Sequence, residues 1–407
     1  MNTRKNLRKS VQRFALCLYF FSIHFENWDI FSIGIDFLIT KITIVFYILF
    51  SFSNFKRFKS LKKFKKFIFP IILVFMIQTF SGYNYKRLYF EEYFSLVFFL
   101  NIILFILMLI QAQYDDKAIG VALKSYAFGG LILALFFVLG IQTNTSFGGR
   151  TTIFDVNHNM LAVNLSIVAL IFLNLLLFNK KTNEFVRFIY LSSILIIVIF
   201  IASTGSRSGV LSLLGGALMI FLLIKTKDIF KKIMVIVIGG LFTFFFLIFI
   251  FNYSISGNRL NETVQTGDLS GRNDYWVEMI PLSSINPAFG IGYSGFKYEV
   301  YNIYGEYRSA HNVFVSVLVT GGFVSLLLVC FFLYNILKKA NLNYKTKNDI
   351  LSIAFLVPIF VMAFVAHLLS TKIEWGVFAY IISVKYRNRN DIKYLKNHNF
   401  NSKISKK

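Results

Sequence analysis

Long apolar runs recur along this chain, among them "IFLNLLLF" (171–178) and "FTFFFLIFIF" (242–251). Such a run has no polar face to offer water, so it must lie in hydrocarbon or deep inside a core. With 56% of 407 residues hydrophobic and 50 of them Phe, there are too many runs for one soluble core. In lipid every backbone amide and carbonyl must be satisfied within the protein, which selects helices for a chain patterned this way. Counting apolar stretches of about 17–25 residues gives about twelve spans, near 13–28, 31–53, 67–82, 93–112, 118–140, 159–179, 187–203, 209–225, 232–252, 310–336, 350–370 and 374–385. The first and last are short, so the range is ten to twelve. The expected fold class is all-α: a polytopic integral membrane protein forming a single membrane domain over 1–407.

The formal net charge of +24 could suggest nucleic acid, but its placement argues otherwise. Lys and Arg gather in short links such as "FKRFKSLKKFKKF", "KTKDIFKK" and "LKKANLNYKTK", and in the basic tail 385–407. These alternate with links poor in both, the asymmetry that the positive-inside rule describes. No base-reading motif accompanies the charge. The pattern implies a multi-pass plasma-membrane protein with both termini cytoplasmic, the bilayer as its first partner, and no nucleic acid. Cys17 and Cys330 fall in apolar stretches and form no disulfide or metal pattern.

With that orientation the outer side holds the loop 141–158, the turn "TGSRS" (204–208) and a long inserted loop over 253–308. In the long loop six acids outnumber four bases, so its arginines are not part of a general anion sponge. "SGRNDYWVEMI" sets Tyr275, Trp276, Met279 and Ile280 at helical spacing before Pro281. That spacing predicts an amphipathic helix on the membrane surface with Trp276 at headgroup depth. Gly290, Gly292 and Gly295 in "NPAFGIGYSGF" predict tight turns.

Four arginines stand at or near the outer surface: Arg150, Arg207, Arg272 and Arg308. Arg keeps its charge and suits bidentate contact with phosphate oxygens. Arg207 is the most constrained, because its turn between two spans is only a few residues long. "RSAHNVFVSVLVTGGF" then opens a span with Arg308, His311 and Asn312, and carries Asn312, Ser316 and Thr320 along one helical face. A polar partner must meet that face. His311 has the imidazole to take a proton from a hydroxyl near neutral pH. His158, beside Asn157 and Asn159, is a second candidate; His24, His367 and His398 are weaker ones. The chain shows no Walker loop, dinucleotide fingerprint, nucleophile elbow or HExxH, and nothing in it calls for a cofactor or a metal.

These ordered landmarks resemble the O-antigen ligase and O-antigen polymerase superfamily of bacterial polysaccharide assembly. Arg150 with Asn159 and Ala162, Ser206-Arg207-Ser208-Gly209, Gly271-Arg272 near Trp276, Gly290-Ile291-Gly292-Tyr293 and His311-Asn312 stand in the family's order. His158 departs from the pattern, standing where members often have Pro. The resemblance implies a GT-C-like membrane glycosyltransferase that is independent of metal. It would move a glycan from undecaprenyl diphosphate to an acceptor hydroxyl outside the plasma membrane, with other polysaccharide-assembly proteins as possible partners. It makes His311, Arg207 and Arg272 the catalytic residues, and gives Arg150, Asn159, Ser206, Tyr293, Arg308 and Asn312 to substrate. Polymerase and ligase share these landmarks; a polymerase for capsule or secreted polysaccharide is preferred. A lipid-linked oligosaccharide flippase is the alternative without chemistry. Flippases place charge near mid-membrane and break their spans, whereas here the charged candidates gather at the outer ends.

Overall fold

Helix starts in this chain are written as polar caps. In the computed structural model, Ser95, Asn157, Asn183, Ser206 and Asn312 each accept a backbone amide from the first turn of the helix they precede. The structure describes residues 2–28, 39–52, 61–85, 95–146, 149–179, 182–224, 233, 240, 272–306, 308–366 and 368–384, with the side chains of 2–5 and 272–274 outside the description. The helices are α1 (Asn2–Ser22), α2 (Ile39–Phe52), α3 (Lys65–Tyr85), α4 (Leu96–Tyr114), α5 (Ala118–Val138), α6 (His158–Phe178), α7 (Glu184–Ser203), α8 (Arg207–Leu222), α9 (Arg272–Met279), α10 (Gly292–Tyr304), α11 (Val313–Lys347), α12 (Ile350–Ala354), α13 (Leu356–Val365) and α14 (Lys372–Ser383).

Among the described residues six helices are long and apolar enough to cross a membrane: α3 with the 3-10 turn before it, α4, α5, α6, α7 and α11. Three shorter apolar segments, Ile39–Phe52, Arg207–Leu222 and Ile350–Val365, add to them. The fold is that of a polytopic helical membrane protein. The expected spans 31–53 and 232–252 lie partly or largely outside the described residues, as does most of the long loop.

Three features correct the sequence reading. The link 141–158 is not plain loop: Thr143–Thr145 (β1) and Thr151–Ile153 (β2) pair antiparallel, Asn144 opposite Thr152. The expected span 350–370 divides into α12 and α13 at Phe355, because Pro358 has no amide to give the Ala354 carbonyl and its ring crowds that carbonyl. Gly295 is helical, inside α10, rather than a turn.

The core gathers around α14. Trp375, fully buried, lies against Phe98 and Phe105 of α4, Phe332 of α11 and Phe378 of its own helix, with ring centroids 5.2–6.3 Å apart. At one end of the bundle Asp115, between α4 and α5, is buried and accepts both Arg13 Nε at 2.8 Å and Arg13 Nη2 at 2.7 Å. Lys62–Lys66, Lys339 and Lys345 belong to the same end. At the other end stand the hairpin, the α7–α8 turn, α9, α10 and His311.

α11 does not run straight. Gly322 takes φ 66° and ψ −171° inside it and breaks the helix. The segment 286–291 fills the break: Phe323 N donates to Pro287 O at 2.8 Å, Val324 N to Ala288 O at 3.2 Å, and Ile291 N to Val319 O at 3.0 Å. The hydrogen bond that Phe323 would make to Val319 in a regular helix is thus exchanged for two with the loop. α3 completes the junction. Ser81 donates to Phe289 O at 2.7 Å, and Gln78 Nε2 donates to Thr320 Oγ1 at 2.8 Å. Gln78 is therefore a polar partner for the inner end of the Asn312–Ser316–Thr320 face, at Thr320.

Candidate functional site

The turn between α7 and α8 is held by side chains as well as by its own brevity. Ser206 caps α8 by accepting Gly209 N at 3.2 Å, and its hydroxyl donates to Asn159 Oδ1 at 3.0 Å. Ser208 Oγ lies 2.9 Å from Ser206 Oγ. Arg150, just before β2, donates from Nε to Thr204 O at 3.1 Å. Gly209 permits this closeness, since a Cβ there would stand 2.3 Å from the Ala162 Cβ of α6. Arg150, Asn159, Ser206 and Arg207 are thus gathered at the α6–α8 contact, with Arg207 half-buried at the first position of α8.

The opposite face of α6 borders a cavity of about 390 Å³. Asn157, Met160, Leu161 and Asn164, which share one helical face, line it. His311 and Ser309 line it from the approach to α11, His24 and Glu26 from the end of α1, and Ser370, Thr371 and Lys372 from the start of α14. His311 adopts φ 47°, and its amide donates to Ser309 Oγ at 3.1 Å. Glu26 and Lys372 form an ion pair across the wall. His24 is buried, with Nε2 3.1 Å from Tyr126 O and its ring 4.1 Å from the Tyr126 ring. None of Arg150, Arg207 and Arg308 is among the lining residues.

The remaining expected site residues are placed otherwise. Asn312 is the cap of α11: its Oδ1 accepts Phe314 N at 2.9 Å and Val315 N at 3.3 Å. Arg308 donates to Glu306 at 2.8 Å and to the Tyr275 hydroxyl at 3.1 Å, and its guanidinium lies over the Tyr304 ring at 4.8 Å. Tyr293 stands beneath Lys297, 5.1 Å from its ammonium, where Gly292 meets α3. His158 reaches Ser146 of the hairpin at 3.4 Å. The Arg272 side chain lies outside the described residues, but its helix is anchored. Trp276 Nε1 donates to Ala310 O at 2.9 Å, next to His311. The indole N–H is thus used within the protein. Behind it Met279, Ile291, Phe296, Val300, Ala310, Val315 and Val319 form a second, smaller core under the long loop.

Sequence reasoning missed Asn164, Glu26 and Lys372. The spacing Asn157–Asn164, two turns along one face, was a usable signal for the first. The Glu26–Lys372 pair joins positions 346 residues apart and left no local trace.

The fold and site together define a multi-pass helical membrane protein with a polar site at one end of its bundle. Residues 191–330 match the family described as O-Antigen ligase, which bears out the resemblance to the O-antigen ligase and polymerase superfamily. Comparison with curated proteins finds no match to the chain. The matched stretch contains Ser206, Arg207, Arg272, Tyr293, Arg308, His311 and Asn312, while Arg150 and Asn159 lie before it. It supports O-antigen ligase or polymerase chemistry, a glycosyl transfer on lipid-linked glycans in the membrane.

Proposed function

We propose that the protein polymerises undecaprenyl-diphosphate-linked repeat units at the outer face of a bacterial plasma membrane. The observation that carries this reading is that His311 and the Ser206-Arg207 turn both adjoin the first turn of α6: His311 lines a cavity with Asn157 and Met160, Ser206 bonds Asn159, and Arg150 bonds Thr204 of the turn. Transfer of a glycan needs those two chemistries side by side. The acceptor hydroxyl oxygen attacks the anomeric carbon, and the bond from that carbon to the diphosphate oxygen breaks with its electron pair going to the diphosphate. The hydroxyl proton passes to the imidazole of His311. Negative charge grows on the leaving diphosphate, where Arg207, Arg272 and Arg150 neutralise it. Nothing in this step calls for a metal. Asn312 acts by shaping the turn that holds His311, since its carboxamide oxygen is engaged as a cap, and Arg308 fixes α9 and α10 rather than substrate.

A ligase would run the same step onto a terminal acceptor. Transport has one observation in its favour, the break in α11 at Gly322. In a transporter such a break exposes backbone to substrate; here residues 287–291 occupy it, which favours the enzyme.

The test uses purified protein in liposomes supplied only with lipid-linked repeat units, the products being sized on a gel. A ladder of longer lipid-linked glycans that is lost in Arg207→Ala and His311→Ala is the expected result. No ladder from folded wild-type protein would remove the polymerase reading, and product formed only after adding a separate acceptor would replace it with the ligase.

A further inference from the structure

The cavity beside His311 and the arginine turn differ in charge, and the difference says what each can hold. Arg150 and Arg207 lie outside the cavity wall, and the two charged residues that line it, Glu26 and Lys372, neutralise each other. A diphosphate placed there would meet a carboxylate and one already paired ammonium. A ring rich in hydroxyls fits instead. Glu26 and Lys372, 39% and 15% exposed at their side chains, keep lone pairs and protons to offer hydroxyl groups. Met160 and Leu161 give apolar surface for the C–H face of a sugar. Asn164, partly exposed on the cavity wall, brings a carboxamide able to exchange hydrogen bonds with a hydroxyl, and its buried Oδ1 has no partner among the described residues. The volume, about 390 Å³, falls in the range of about 300–1,000 Å³ that small-molecule sites occupy.

We propose that this cavity is the acceptor-sugar site, taking the uncharged terminal residue of the acceptor glycan, with Asn164, Glu26 and Lys372 as the groups that position its hydroxyls toward His311. The assignment rests on the transfer reading given above and orders the two substrates around the first turn of α6, the lipid diphosphate toward α8 and the acceptor sugar toward α14, so that they meet at that turn.

The experiment uses two readouts on the full-length protein in nanodiscs. The first is saturation-transfer NMR with the lipid-free oligosaccharide of one repeat unit, released by mild acid from lipid-linked material. The second is the KM for that oligosaccharide as acceptor at a fixed concentration of lipid-linked donor. Asn164→Ala and the double variant Glu26→Gln/Lys372→Gln are compared with wild type, each checked for an unchanged melting temperature. Because the double variant removes charge but little volume, it remains informative where a truncation would collapse the wall. The expected result is loss of saturation transfer and at least a tenfold rise in acceptor KM, with donor KM unchanged. Unchanged sugar binding in folded variants would overturn the assignment while leaving the transfer reading intact. An equal rise in donor KM would overturn it too. Sugar binding that depends on Asn164 in a protein that transfers nothing would uphold the sugar site and remove the enzyme reading instead.

Discussion

His311 stands at φ 47°, in the left-handed region that Gly, Asn and Asp enter most readily and other L-residues at a cost of about 1–2 kcal/mol. The usual truncation to Ala therefore confuses two effects, loss of the imidazole and a changed turn. His311→Asn separates them, because Asn tolerates the backbone and lacks the basic nitrogen. The expected outcome is a melting temperature near wild type and a transfer rate lower by about 10²–10⁴-fold, measured on the same preparation. Transfer within a few-fold of wild type would show that His311 is not the base. At this scale the sequence was readable where chemistry follows residue type and order: His311, Arg207, Ser206 and Asn159 could be picked out and do gather at one end. Asn312 was readable as polar but not as a cap, since an Asn before an apolar run serves either purpose. Glu26 and Lys372 were out of reach, as no spacing rule links a residue near the first turn with one 346 positions later.

Among the elements, the junction of α3, α11 and the 286–292 segment fixes the relation between the long loop and the bundle. Three left-handed glycines, Gly290, Gly292 and Gly322, make it possible. A Cβ on Gly322 (φ 66°) would stand 2.3 Å from the Ala288 carbonyl, and one on Gly292 (φ 72°) 2.1 Å from the Gly82 backbone. Gly140, at φ 71°, has nothing within 4 Å. Gly140→Ala should therefore cost about 1–2 kcal/mol from backbone strain alone, and Gly322→Ala more than about 3 kcal/mol once the clash is added. Melting curves in one detergent would rank them, and equal losses would contradict the junction. The span 310–336 was legible as apolar, but its break was not, because the groups that close it come from residues 287–291 and act only after the chain has folded back. The amphipathic helix at 272–279 was legible from its spacing. Its docking was not: Trp276 resembles a headgroup anchor in sequence, while in the fold its N–H finds the Ala310 carbonyl. Trp276→Phe keeps the apolar contact and removes that bond. It should cost about 1 kcal/mol of stability and slow transfer several-fold by loosening the helix that carries Arg272. Unaltered transfer would mean that α9 is positioned by its other contacts.

Across the whole molecule, one end carries lysines, arginines and the Arg13–Asp115 pair, and the other carries the hairpin, the Ser-Arg turn and the cavity. The number of spans expected from hydropathy exceeds the six long helices and three shorter apolar segments among the described residues. The expected spans 31–53 and 232–252 lie partly or largely outside those residues. The two-ended charge pattern is more robust, because it depends on which links hold Lys and Arg rather than on where each helix stops. It predicts that the basic end is cytoplasmic, which single cysteines can check once Cys17 and Cys330 are replaced by Ala. Asn144 in β1 and Thr346 near the end of α11 are both exposed and belong to opposite ends. In intact cells a membrane-impermeant maleimide should label Asn144→Cys and spare Thr346→Cys, and permeabilisation should expose the second. The reverse pattern would turn the molecule over, putting His311 and the arginine turn in the cytosol. A repeat unit already delivered to the outer leaflet could not reach them there, so the polymerase reading and the acceptor-sugar assignment depend on this result as much as on any variant of the site.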